Sequence, residues 1–345
     1  MSISFRKEEE FFTFHDPMQD GKLIDRKTEV RYDPLTGESS RIIFDPGAPF
    51  VPSDYSKMAE ETSGDKCPFC KENVFSKTPR FSDELVEGGR ILVGEAVAFP
   101  NLFPYSKHNA VVRMTDHHFV KLDEFTPKRI RDAFHAAHQY IDKVVEFDQK
   151  SSYASINWNY LPPSGGSILH PHIHVLLSEH PTNYQATIAH NAQILHDNTG
   201  INFFEEIVRI EQEKDERWIG RSGSISYLHA FAPKSHYDFI GVFDAHSFAD
   251  LTEAHLNDFA HDMQRFFAYF LKNGVESFNL GLFIPLEKKP GERIHVRLIP
   301  RMTIGMLDTS DMNVFNYLHG EPLSLKEPEK IAKEVASYFE NVVNP

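Results

Sequence analysis

The chain has 345 residues, 41% hydrophobic and 25% charged, the proportions of a globular protein able to bury a sizeable core. Its formal charge of −14 argues against a nucleic-acid groove or an anionic membrane surface and leaves small molecules as the expected partners. No run of about 18 apolar residues occurs, and the opening MSISFRKEEEFFTF carries charge where a secretory signal needs an apolar stretch, so the expected location is cytoplasmic.

In chain order, residues 29–46 (EVRYDPLTGESSRIIFDP) read as a β-hairpin around a Pro-Leu-Thr-Gly turn, offering Arg31 and Arg41. Residues 47–66 read as a polar loop leading to CPFC, which holds both cysteines of the chain, Cys67 and Cys70. A reducing compartment argues against a disulfide there, and Cys-x-x-Cys then reads as half of a zinc site or a redox motif. Residues 90–114 read as strand, loop, strand. Ile130, Phe134, Ala137, Ile141 and Val144 follow at helical spacing, with Thr126 as N-cap and Pro127 in the first position.

The stretch GGSILHPHIHVLL (165–177) then sets three histidines on alternate positions. On a strand His170, His172 and His174 share one face, while Leu169, Ile173 and Val175 share the other with Pro171. A half-exposed strand explains one polar position more readily than three in register. Imidazole serves as metal ligand, proton carrier and nucleophile near neutral pH, so this row is a candidate site.

A second copy of the order strand, loop, strand, helix, strand follows. HHFVKLDEFTPKRIRDAFHAAHQYI lays over HSFADLTEAHLNDFAHDMQRFFAYF, matching His117 to His246 and Leu122 to Leu251, with a second helix beginning near Glu253. The expected fold class is α+β, two related halves, each an antiparallel sheet with a packed helix. Residues 1–190 form the catalytic half and 191–345 a degenerate one. Cys67, Cys70, one of His117 and His118, and His170 supply the two sulfurs and two nitrogens of a closed tetrahedral zinc site.

These residues resemble the galactose-1-phosphate uridylyltransferase family of the histidine-triad superfamily, through RYDPLTGE, CPFC, FPNLF, MTDHHFVKL and NYLPPSGGSILHPHIH in the family's order. The resemblance implies two histidine-triad-like halves. It makes His170 a zinc ligand and His172 the nucleophile, and an aspartate before the family's other zinc histidine selects His117 over His118. It sets Asn159, Gly165, Gly166 and Ser167 around the nucleotide phosphates, Asn101 near the sugar or base, Phe69 against the base and Arg31 near the substrate phosphates. It also implies a homodimer.

A histidine nucleophile needs a neutral ring nitrogen aimed at the α-phosphorus and its other nitrogen held by an acceptor. Glycines let backbone amides approach phosphate oxygens, and Ser167 adds a donor to the charge developing in the transition state. Two positions depart from the family. His174 stands where the family has glutamine, and His295-Val-Arg297 stands where some members place a second metal on His-x-His, which a guanidinium does not supply. The expected activity is transfer of a nucleoside monophosphate, UMP by resemblance, between a nucleotide sugar and a sugar 1-phosphate, with zinc as cofactor. The rivals are a phosphorylase or hydrolase of nucleotide sugars or dinucleoside polyphosphates, and a nucleotide-binding protein without turnover.

Overall fold

The computed structural model describes residues 3–44, 50, 52–306 and 309–340. A long ribbon opens it. β1 (Lys7–Asp16) pairs antiparallel with β2 (Lys22–Tyr32), and β2 with β3 (Ser39–Ile42). The expected hairpin at 29–46 is present as β2 and β3, with Arg31 opposite Ser40, but β2 starts earlier than expected. Residues 45–46 of that hairpin and 47–49 and 51 of the following loop lie outside the described residues. The rest of that loop is not all irregular. It holds α1 (Ser56–Thr62), whose Ala59 reaches the core, and after the cysteines comes α2 (Val74–Lys77).

The first half continues with β4 (Ile91–Val93), β5 (Ala96–Pro100), β6 (His108–Arg113), α3 (Pro127–Phe147), β7 (Tyr153–Tyr160) and β8 (His172–Ser178). Residues 90–114 therefore make three strands where two were expected, because the chain reverses at Gly94, whose φ of 59° suits glycine. Thr126 caps α3 as expected, its hydroxyl accepting from the Arg129 amide at 3.3 Å. Two helices absent from the sequence reading follow, α4 (Asn183–Thr199) and α5 (Phe203–Lys214). A division of the chain at 190/191 would fall inside α4.

The second half repeats the first: β9 (Trp218–Ser222), β10 (Ile225–His229), β11 (Phe239–Phe243), α6 (Glu253–Lys272), β12 (Ser277–Pro285) and β13 (His295–Arg301). A short hairpin, β14 (Thr303–Ile304) and β15 (Thr309–Ser310), precedes β16 (Leu323–Ser324) and α7 (Pro328–Ala336). β16 pairs parallel with β3, so the N-terminal sheet is closed by the C-terminal region.

Both halves merge into one ten-stranded antiparallel sheet in the order β4-β5-β6-β8-β7-β12-β13-β11-β10-β9. Read outward from its centre, each half has the same strand sequence. Asn157 on β7 pairs with Gly281 on β12 at the middle, flanked by His174 opposite Asn157 and Arg297 opposite Gly281. The duplication read in the sequence is thus a local two-fold axis through the Asn157–Gly281 pair.

Alternation along the strands gives the sheet two faces. Ile156, Trp158, Ile173, Val175, Leu280 and Leu282 point to α3 and α6 and form the main core with Phe134, Phe259 and Phe267. Each of these side chains is nearly solvent-free, and burial of one contributes roughly 1.5–3 kcal/mol. The other face carries the histidines, and its two halves are covered differently. Phe69, Cys67, Cys70 and Val74 close over Val97, Phe99 and Val111 in the first half. In the second, Phe203, Phe204 and Ile207 of α5 close over Leu228 and Val242.

Candidate active site

His172 opens β8, on the same face as His174 and next to Arg113 of β6. Its Nδ1 lies 2.7 Å from the His170 carbonyl oxygen, to which it donates, so Nε2 carries the lone pair. Burial lowers the pKa of His172 and keeps the ring neutral. The Phe69 ring packs edge-on at 5.3 Å. His174 is also held neutral by burial, pushed down to about 4, with its Nδ1 buried and unpartnered. Tyr105, on an exposed loop, sets its ring 5.6 Å from that of His174.

Cys67, Cys70, His118 and His170 bring one ligand atom each within 4.8 Å of one another. Cys67 Sγ is 3.7 Å from His170 Nδ1 and Cys70 Sγ is 3.5 Å from His118 Nδ1. Tetrahedral zinc bonds would separate sulfur and nitrogen by about 3.5 Å, so the donor set fits such an ion. The rings are oriented for it as well. His170 donates from Nε2 to the Thr115 carbonyl at 2.7 Å. Thr62, whose hydroxyl donates to the Met58 carbonyl at 2.7 Å, accepts from His118 Nε2 at 3.1 Å. Both histidines therefore turn a bare Nδ1 toward the sulfurs, as supporting hydrogen bonds of metal sites do. Burial pushes the Cys67 thiol up to about 11, so a metal would have to displace a proton there.

The histidine joined to the sulfurs is His118, where the sequence reading selected His117. Residues 114–121 are irregular, so neither helical nor strand periodicity decides which of two adjacent side chains turns inward. Arg31 also departs from expectation. Its guanidinium is buried, clamped by Glu29 at 2.8 Å and Glu329 at 2.8 Å, and lies over Phe231, so its partners belong to the N-terminal sheet and the second half.

Gly165, Gly166 and Ser167 lie in the connection between β7 and β8, and Asn159 near the end of β7. Gly165 has φ of 87°, and a side chain at Gly166 would put Cβ 3.1 Å from the carbonyl oxygens of both Asn159 and Leu161. A side chain at Gly166 would have to push the loop a few tenths of an ångström away from those carbonyls. Ser167 and Asn159 are exposed on this side, whereas Asn101 turns inward, donating to Asn109 Oδ1 at 2.9 Å and so closing the loop that bears Tyr105. Tyr105, Thr62, Thr115 and Asn279 were not singled out from sequence.

The two-fold axis supplies a comparison within the chain. His295 stands in β13 where His172 stands in β8, and its Nδ1 likewise donates to a carbonyl two residues back, Arg293, at 3.0 Å. Its Nε2 instead accepts from the Tyr184 hydroxyl at 3.1 Å, and Phe204 stacks on the ring at 4.5 Å. Arg297, the counterpart of His174, is locked to Asp238 with Nε 2.7 Å from Oδ1. Nε2 of His295 is thus capped by a hydroxyl, whereas no hydrogen bond to Nε2 of His172 is made among the described residues.

The chain has the duplicated α+β fold seen in solved uridylyltransferase and ADP-glucose phosphorylase structures. A uridylyltransferase structure superposes with a TM-score of 0.64 at 15% identity, over 91% of this chain and 99% of that one. An ADP-glucose phosphorylase from Arabidopsis thaliana, solved with bound ADP-glucose, gives 0.68 at 15% identity over 90% of this chain and 98% of that one. No family model matches the sequence. An uncharacterized protein of Archaeoglobus fulgidus is 32% identical over 333 residues, 96% of this chain and 98% of its own. The chain belongs to the same family as that archaeal protein. No helix among the described residues is long and apolar enough to cross a membrane.

Proposed function

We propose that the chain is a cytoplasmic nucleotidyltransferase that moves a nucleoside monophosphate between a nucleotide sugar and a sugar 1-phosphate through a covalent histidine intermediate. The observation that carries this reading is the His172 ring: neutral, with Nδ1 spent on the His170 carbonyl and Nε2 left as the nucleophile. In the first step Nε2 bonds to the α-phosphorus and the bond to the bridging oxygen breaks, releasing sugar 1-phosphate. In the second an acceptor sugar 1-phosphate attacks the same phosphorus and the phosphorus–nitrogen bond breaks, returning the neutral imidazole. The His170 carbonyl stabilises the positive charge that the ring acquires. Asn159, the Gly165–Ser167 amides and the Ser167 hydroxyl face phosphoryl oxygens.

We read the Cys67, Cys70, His118 and His170 cluster as a zinc site. Zinc bound by two sulfurs and two nitrogens leaves no open position, so its contribution is structural, tying the Phe69 turn to the strand that bears the nucleophile. Residues 1–190 would then hold the reacting groups, with the second half as scaffold. A second reading, in which inorganic phosphate or water takes the intermediate, is favoured by one observation: His174 can relay a proton where an amide cannot. Incorporation of labelled glucose 1-phosphate into UDP- and ADP-glucose tests transfer. Exchange supports the proposal, whereas nucleotide release dependent on phosphate or water, without exchange, replaces it with the second reading.

A further inference from the structure

Asn159 of the first half and Asn279 of the second face each other across the β7–β12 junction. Asn279 Nδ2 donates to Asn159 Oδ1 at 2.7 Å and to the Ser164 carbonyl, at the foot of the glycine loop, at 2.8 Å. Its own Oδ1 accepts from Arg301 Nη1 at 3.0 Å. Arg301 is held in turn by Asp311, with Nε 2.9 Å from Oδ2 and Nη2 2.7 Å from Oδ1.

This chain has only one direction. A carboxylate accepts and a guanidinium donates, so Arg301 must meet the oxygen end of Asn279, and the amide end of Asn279 must meet the oxygen end of Asn159. The free end of Asn159 on the exposed face is then NH2, a donor. Were the amides reversed, an acceptor oxygen would face the same space and repel an anion.

We propose that Asn279, fixed by Arg301 and Asp311, is a positioning residue that aims the Asn159 amide as a hydrogen-bond donor to a phosphoryl oxygen of the nucleotide ligand. The inference rests on the nucleotidyl-transfer reading. It gives the second half a part in the reaction: that half no longer carries a reactive histidine, but it sets the polarity of a group in the first.

The test is a double-mutant cycle on the full chain, with UDP-glucose and ADP-glucose as probes. Asn279→Leu, close in shape and unable to hydrogen-bond, should lower kcat/KM about tenfold, the size of one lost charge-assisted hydrogen bond, while metal content and melting temperature stay near wild type. In an Asn159→Ala background the same change should cost less than about twofold, because the group it aims is gone. Asp311→Asn, which removes one of the two acceptors that hold Arg301 without emptying any space, should act in the same direction with the same loss of effect beside Asn159→Ala, and serves if Asn279→Leu folds poorly. Equal factors in both backgrounds would overturn the positioning role and leave the transfer reading standing. No turnover of either nucleotide sugar by wild type would overturn the transfer reading, and the inference with it.

Discussion

His172 donates from Nδ1 to the carbonyl of His170, 2.7 Å away, while the ring of His170 faces Cys67 Sγ at 3.7 Å. One residue thus links the two chemistries of the face. Its backbone orients the His172 ring and its side chain belongs to the sulfur cluster, so a disturbance of the cluster reaches that ring through a single peptide unit.

The cluster's membership can be tested directly. His118→Ala and Cys67→Ser should lose bound zinc and more than about 2 kcal/mol of stability, as loss of a structural metal does. His117→Ala should keep both. Metal analysis with thermal melts reads the outcome, and zinc lost with His117 but kept without His118 would reverse the assignment.

Stability should fall on acidification in a defined window. Burial places the folded pKa of His174 and His295 near 4, below the value of about 6.5 in an unfolded chain. Between those values the unfolded chain binds more protons, so this stabilisation is complete above pH of about 6.5 and is lost as pH falls toward 4. Urea midpoints taken across that range should decline in wild type and decline less in His174→Gln. A midpoint that rises toward acid would contradict the burial of these rings.

The duplication was legible because two signals of different kind agree, the period-two histidines of β8 and the recurring strand and helix order. Other parts were not. β1 is exposed on both faces along nearly its whole length, so KEEEFFTFHD carries no alternation to read. Helix α4 buries only Ala192 outright among its residues, too narrow a face for a periodic signal. Asn159 and Asn279 lie 120 residues apart and meet only because the halves share a sheet, so neither local pattern nor motif points to their contact. The choice between His117 and His118 failed for the opposite reason, since the candidates are adjacent.

Gly166→Ala should cost activity more than stability. The added Cβ would lie 3.1 Å from two carbonyl oxygens, and relief requires the loop to lift from β7, carrying Ser167 with it. We expect about a tenfold loss in kcat/KM with about 1 kcal/mol of destabilisation, read from steady-state rates and denaturant melts. Unchanged kinetics would remove the loop from the site.

His174→Gln should separate transfer from hydrolysis. An imidazole can assist water or protonate a leaving group, an effect of about a hundredfold when present, and an amide cannot. Wild type should release free nucleoside monophosphate when acceptor is scarce, and the variant should suppress that release while retaining sugar-phosphate exchange. Equal ratios of hydrolysis to exchange in both proteins would reduce His174 to a hydrogen-bond donor.

The central claim is that Nε2 of His172 forms a bond to phosphorus. Wild-type protein mixed with UDP-glucose or ADP-glucose, without acceptor, and analysed by mass spectrometry should carry one nucleoside monophosphate per chain on the peptide containing residues 165–177. The adduct should be lost in acid as a phosphoramidate is and be absent from His172→Gly, which should be inactive. Turnover at the wild-type rate by His172→Gly, or turnover by wild type with the adduct on another residue, would contradict it.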